Sequence, residues 1–386
     1  MLGIYLHIPF CTQRCVYCDF YFVTTRRDHS SFVDALCREI ALSAMDEPVD
    51  TIYFGGGTPS RLSLSDIQRI LAALREALDC SSASEITLEM NPEDADLGYL
   101  RGLRTIGINR ISLGIQSFQD ADLRFMHRSH TRADGEAALD AIPSAGFENF
   151  TVDLIFGLPD QRTDAWASNL ERVVGTGTPH ISTYGLTIEQ RTPLHRQVAR
   201  GLVQPPSEDE LATQYRIAME TLRSHGYEHY EISSFALPGF RAVHNQRYWN
   251  HADYLGFGPS AHSFRWTAEK GAVRWSNVRS LARYEASLQQ DALPVASKET
   301  LTPDMLARER ILLSLRTSNG LDLELLRSTY HVDLASGKHE VLAQLTRGGF
   351  IEKPESGRLR LTDRGKLVCD SVTARLIGEH VTAPTV

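Results

Sequence analysis

Gly3-Ile4-Tyr5-Leu6-His7-Ile8-Pro9-Phe10-Cys11-Thr12-Gln13-Arg14-Cys15-Val16-Tyr17-Cys18-Asp19-Phe20 is the stretch on which the fold turns. Its first part, Gly3–Ile8, is short and apolar, as a buried parallel strand is. Its second part is a loop carrying three thiols in a CxxxCxxC spacing. Three thiolates on one short loop can cap three irons of a cubane cluster, whose usual complement is four cysteines. No fourth cysteine stands nearby, so one iron would keep an open position for a small chelating molecule. Two other chemistries use such residues. A zinc site wants four ligands, usually from two separated pairs, and His7 or His29 would have to complete it. A thioredoxin-like pair uses C-x-x-C at a helix start, which Cys15 and Cys18 match in spacing while Cys11 is left without a role.

Outward from that loop, short apolar runs alternate with helical patterns. The strands expected are Gly3–Ile8, Thr51–Gly55, Glu85–Met90, Arg110–Ile115, Phe150–Phe156 and Ile181–Leu186. Helices are expected near Ser31–Ala44, Asp120–His127, Arg132–Ala145, Asp164–Val174 and Glu208–His225. A further one is marked by Leu64, Ile67, Leu71, Leu74 and Leu78 behind a Ser63/Asp66 start. Six β-then-α units imply an α/β fold with a parallel sheet and right-handed crossovers. Six is fewer than the eight that close a barrel, so an open, partial TIM-like (β/α)6 barrel is expected over residues 1–227. A flat doubly wound sheet is the alternative that periodicity alone leaves standing. Residues 228–300 read as an accessory region rich in aromatics and histidine, ending in a linker at Leu293–Pro303. Residues 301–386 read as a small winged-helix-like domain. Its helices are marked by Leu306, Ile311, Leu312 and Leu315, and by Leu342, Leu345 and Phe350, with a closing hairpin about Gly357 and a loose ten-residue tail.

Composition narrows the function. The 386 residues carry a net charge of −8, and acids and bases nearly balance in the C-terminal region. Nucleic-acid partners are therefore not expected, and a structural or lid role suits that region better. No apolar run spans a bilayer and no signal peptide is seen. Cys37, Cys80 and Cys369 are scattered and read as small packing residues. A reducing, cytoplasmic setting fits free thiols better than a disulfide framework does.

Polar outliers recur where the expected strands end, which is where β/α barrels place their chemistry. Gly55-Gly56-Gly57-Thr58-Pro59 offers close backbone approach and N–H groups. Glu89 ends the third strand and Gln116 the fourth. Arg128 follows in Met126-His127-Arg128, and Asp153 interrupts an apolar run. Each alone has an ordinary structural reading, as a turn, an ion pair or a solvated charge. Their shared position points to one site.

These motifs resemble the radical-SAM proteins, and within them the family of oxygen-independent coproporphyrinogen III oxidases and their relatives. The resemblance rests on Tyr5-Leu-His-Ile-Pro-Phe-Cys11, CxxxCxxC, Gly55-Gly-Gly-Thr-Pro59 and Gly114-Ile-Gln-Ser-Phe118, and covers most of the chain. It implies a [4Fe-4S] cluster on Cys11, Cys15 and Cys18. It also implies S-adenosylmethionine contacted by Tyr5, Tyr17, Gly56, Gly57, Thr58, Glu89, Gln116, Arg128 and Asp153. Two features separate the branches. The decarboxylating enzymes have a further cysteine where this chain has Phe20, and a longer N-terminal arm. His244-Asn-Gln-Arg-Tyr248-Trp249 is the HNxxYW motif of the heme-chaperone branch. A neutral His244 imidazole can ligate heme iron, and Tyr248 and Trp249 offer flat faces to a porphyrin. A histidine satisfied within packed aromatics is the plainer alternative, and His262 is a second candidate that the sequence does not rank. The resemblance thus implies a chaperone that binds heme and passes it to an acceptor hemoprotein, such as one of the respiratory chain. The alternatives it leaves are an oxygen-independent coproporphyrinogen III dehydrogenase, disfavoured by Phe20, and radical-dependent heme breakdown.

Overall fold

The computed structural model describes residues 1–24, 28–268, 271–353 and 357–378. The six expected strands are present as β1 (Leu2–Ile8), β2 (Met45–Gly56), β3 (Glu85–Met90), β4 (Arg110–Gln116), β5 (Phe150–Phe156) and β6 (His180–Gly185). They pair in parallel in that order. The helices include α1 (Ser30–Leu42), α2 (Leu64–Ala77), α3 (Leu97–Ile106), α4 (Asp120–Phe125), α5 (Arg132–Ser144), α6 (Thr163–Gly175), α7 (Pro193–Ala199) and α8 (Glu208–Ser224). Ser63 caps α2 by accepting the Asp66 N–H at 3.2 Å, as its spacing predicts.

Strand residues alternate in character. Leu2, Ile4, Leu6, Ile52, Phe54, Leu88, Ile111, Leu113, Val152 and Leu154 point outward and are buried beneath the helices. Each such side chain contributes about 1.5–3 kcal/mol over its exposed state, so the outer layer carries the stability. The inward positions are polar: Tyr5 and His7, Thr51 and Tyr53, Glu85 and Glu89, Arg110 and Ser112, Thr151 and Asp153, His180 and Ser182. A flat sheet would splay these apart. Instead, one segment reaches several of them. In α9 (Val243–Trp249), the His244 ring meets Thr51 of β2 at 2.9 Å. The backbone N–H groups of Val243 and His244 donate to the Glu85 carboxylate of β3 at 2.9 and 2.8 Å. Just before α9, the Ala242 N–H donates to the Tyr230 hydroxyl, which bonds His180 of β6 at 2.7 Å. Strands that are not neighbours converge on one plug, so the sheet is curled into an open barrel whose strand-N-terminal end is closed.

Four sequence expectations are corrected. A seventh parallel strand, β8 (Tyr254–Phe257), lies beside β1, and β7 (Ser234–Ala236) runs antiparallel to β6. The expected linker is mostly strand. β9 (His262–Trp266), β10 (Ala272–Asn277) and β11 (Val295–Leu301) extend the sheet antiparallel beyond β8, and β11 is the exposed, charge-bearing kind of edge that resists further pairing. Helix α3 was not anticipated. The hairpin, with Ile351 bridged to Leu361, does not end the last domain, because a helix at Cys369–Ile377 follows it. Of the expected tail, residues 379–386 lie outside the described residues.

The C-terminal helices pack around α11 (Pro303–Leu315). The domain is fastened to the barrel beside α9 and at the turn that precedes β7. The Ile232 N–H donates to Arg316 O at 2.8 Å, the Ser318 N–H to Tyr230 O at 2.9 Å, and Arg310 to Asn250 O at 2.9 Å. Of these, the Arg310 clip lies beside the plug, whereas Ile232 and Tyr230 stand on the turn before β7, where Ser234 pairs with Ser182 and the Thr183 N–H donates to Ser233 O, partway along β6.

A candidate cofactor site at the barrel mouth

The cysteine loop leaves β1 and folds back on itself. The Cys11 N–H donates to Val23 O at 3.1 Å and the Val23 N–H to Pro9 O at 2.6 Å. Residues 9–24 form no helix, so Cys15 and Cys18 lack the helix start that a thioredoxin-like pair uses. The glycine run braces this loop. The Gly57 N–H donates to Ile8 O at 2.8 Å and the Thr58 N–H to Phe10 O at 2.7 Å. A Cβ on Gly57 would sit 2.8–2.9 Å from three backbone atoms of Ile8 and Phe10. Gly56, at φ +109, faces the His7 ring, where a Cβ would approach to 2.6 Å. The glycines are therefore needed to seat one loop on the other, whatever else they bind.

The three thiols are half-buried and free. Each outer thiol is held protonated by burial, Cys11 pushed up to about 11 and Cys18 to about 12. Donors already face the sulfurs: the Thr58 hydroxyl lies 3.7 Å from Cys11 Sγ, and an Arg128 nitrogen 3.7 Å from Cys15 Sγ. Among the described residues no three His, Cys, Asp or Glu side chains close around a single metal ion. The ring of His7 is engaged at both nitrogens, with Nε2 donating to Tyr21 O at 2.8 Å and Nδ1 accepting from the Tyr5 hydroxyl at 3.2 Å. The donor set fits an iron–sulfur cluster: three soft ligands on one loop, partly shielded, with hydrogen-bond donors aimed at the sulfurs.

Most of the other expected residues converge beside the thiols. Arg128 donates to Asn91 Oδ1 at 2.7 Å and to Gly114 O at 2.9 Å, which fixes it across the ends of β3 and β4. Gln116 lies against Gly114 with φ +66, a left-handed conformation that a non-glycine residue keeps only under constraint. Tyr17 packs among Leu123, Met126, Ile155 and Leu158. Glu89 accepts from the Tyr53 hydroxyl at 2.8 Å and the Gly56 N–H at 3.0 Å. Burial outweighs these bonds and raises its carboxyl to about 7, helped by the Asp153 charge. Asp153 accepts from Ser112 at 3.1 Å and is likewise raised by burial. Asn91 and Ser112, which no motif singled out, are thus parts of the site; an Asn-Pro at a strand end was the available signal.

His244, Tyr248 and Trp249 stand elsewhere. His244 is 1% exposed at the plugged end. Its Nδ1 meets Thr51, its Nε2 meets the Tyr248 hydroxyl at 2.8 Å, and its ring stacks on Tyr53 at 5.1 Å. Burial depresses it to about 3, so it is neutral. Both nitrogens are occupied in this conformation, and Tyr248 turns its ring edgewise to Tyr254.

A parallel open barrel with three thiols on the loop after its first strand defines a radical SAM domain, and the family model described as the Radical SAM superfamily matches residues 5–172. A second model, HemN C-terminal domain, matches residues 301–368. The chain belongs to the family of proteins named heme chaperone HemW. It is 33% identical to the Lactococcus lactis member over 94% of this chain and 93% of that one, and 36% identical to the Synechocystis member over 89% and 84%. The solved coproporphyrinogen III oxidase HemN of Escherichia coli, described as a radical SAM enzyme, superposes with a TM-score of 0.82 at 25% identity, covering 97% of this chain and 89% of that one. Among the described residues no helix is long and apolar enough to cross a membrane.

Proposed function

We propose that this protein is a heme chaperone that carries a [4Fe-4S] cluster on Cys11, Cys15 and Cys18, holds S-adenosylmethionine beside it, and delivers heme to acceptor hemoproteins in a reducing, cytoplasm-like compartment. The observation that carries the reading is Phe20. It stands 59% exposed two positions beyond Cys18, where the decarboxylating relatives have another thiol. The relatives named as chaperones support it, as do six cysteines all free. When bound, the cluster supplies an open iron position and one-electron reducing power. The chain's own residues do the rest. Thr58 and Arg128 donate toward the thiolate sulfurs and lower the cost of their negative charge. The Glu89 carboxylate would accept a hydrogen bond from a cationic amine, and the amide of Gln116 could both donate and accept at a nucleoside edge.

The test is anaerobic reconstitution followed by heme addition. Iron and sulfide should be incorporated, and serine at any of the three cysteines should abolish the colour. Heme should be taken up stoichiometrically without a porphyrin product. The overall likeness to HemN favours a second reading, an oxygen-independent coproporphyrinogen III dehydrogenase. Loss of coproporphyrinogen with release of carbon dioxide would establish that reading and end the first.

A further inference from the structure

Resting on the chaperone reading, we propose that heme is seated at the rim of the barrel mouth, with His262 as iron ligand, Phe20 against the macrocycle and Arg279 at a propionate. His262 opens β9, directly after the turn that leaves the C-terminal end of β8. That turn lies on the cysteine-loop side, since a Cβ on Gly258 would touch His7 O at 2.4 Å. Unlike His7 and His244, the His262 residue is exposed, and among the described residues no hydrogen bond holds its ring.

The turn beneath it is fixed from several sides. The Gly258 N–H donates to Glu39 at 2.8 Å, Asn277 Nδ2 donates to Gly258 O at 2.9 Å, and the Asn277 N–H donates to Ala261 O at 2.9 Å. Ser260 is held at φ +67, with its N–H on Val278 O at 3.1 Å. A non-glycine residue kept in that region, on a braced turn that ends in an unengaged imidazole, is the kind of preorganisation a ligand site needs.

The segment after β10 then joins this turn to the end of the cysteine loop. Arg279 donates to Asp19 O at 2.5 Å, and the Leu281 N–H donates to the Tyr21 hydroxyl at 2.6 Å. Phe20 lies between those two clips, turned outward. Arg279 is more than half exposed, and its nearest carboxylate oxygen, on Asp19, is 3.8 Å away, so the guanidinium is only weakly paired. An apolar face, a neutral nitrogen donor and a fork for a carboxylate are what a flat, iron-bearing dicarboxylate requires.

The experiment is a titration of the anaerobically reconstituted full-length protein with hemin, followed by absorption spectroscopy. His262→Ala should weaken binding by about tenfold or more and lose the histidine-ligated spectrum, while its iron and sulfide content and its melting temperature stay unchanged. His262→Cys should restore tight binding with a thiolate-type Soret shift, which a merely structural role would not produce. His127→Ala, exposed beyond β4 and α4 on another side of the mouth, should bind as the parent does, and Arg279→Ala should release heme faster. If His262→Ala keeps the parental spectrum and affinity, or His262→Cys leaves the Soret band unmoved, the seat is wrong although the chaperone reading survives. If the parent protein takes up no heme, the chaperone reading fails, and the seat falls with it.

Discussion

A single hydrogen atom at Cα decides whether the thiols can be presented. Gly57 has no room for a side chain because its neighbours are backbone, which cannot rotate away. Gly57→Ala should cost about 1–3 kcal/mol in denaturant unfolding and lower the iron and sulfide incorporated on reconstitution; parental cluster content at unchanged stability would contradict this. His244 sets a pH dependence. Its folded value lies near 3 and its unfolded value near 6.5. The unfolded chain therefore binds the extra proton, and the stability that His244 contributes is present above pH 6.5 and is lost as pH falls toward 3. The difference in unfolding free energy between the parent and His244→Gln should shrink by about 1.4 kcal/mol per pH unit within that window. The cysteines were legible because their spacing is itself the chemistry. The surroundings of His244 were not, since its partner Thr51 is 193 residues away and no local pattern announces it.

Elements were legible where the outward apolar face was long enough to read, as in β1 to β6. β8 has only four residues, β11 is almost wholly exposed, and α3 is interrupted by Gly98 and Gly102, so none of the three carried a signal. Gly102 is there for contact: a Cβ would come within 2.2 Å of Leu64, which brings α3 close to α2. The most consequential joint between elements is Glu39 of α1. It is buried and accepts from Gly258, from Asn277 at 2.6 Å and from the Tyr284 hydroxyl of α10 (Leu281–Leu288) at 2.5 Å. Burial raises its carboxyl from 4.5 to about 7 despite those donors. Here the folded state binds the extra proton. The stability Glu39 contributes is complete below pH 4.5 and is lost as pH rises through about 7, the reverse of His244. Measured against Glu39→Gln, the parent should become relatively less stable by about 1.4 kcal/mol per unit across that interval. A flat difference would mean that the carboxylate stays ionised throughout.

At the scale of the whole molecule, the C-terminal domain meets the barrel through an aromatic joint. His251 stacks on Phe264 at 4.7 Å, faces Trp266 edgewise and lies 3.3 Å from Glu309 of α11, with Tyr330 beside it. Tyr330→Ala should destabilise that joint by about 3 kcal/mol and expose the segment around residue 301 to limited proteolysis. Cluster content should not change, because the joint and the thiols are at opposite ends; a fall in iron content would refute that separation. This arrangement was the least legible in the sequence. A winged-helix-like pattern reports the domain's own packing and nothing about which end of the barrel it grips.

The buried plug of Glu85, Arg110, His180 and His244 has a consequence for traffic. It fills the strand-N-terminal end, so a molecule that reaches the thiols arrives from the mouth or the unclosed flank and none is threaded through the barrel from end to end.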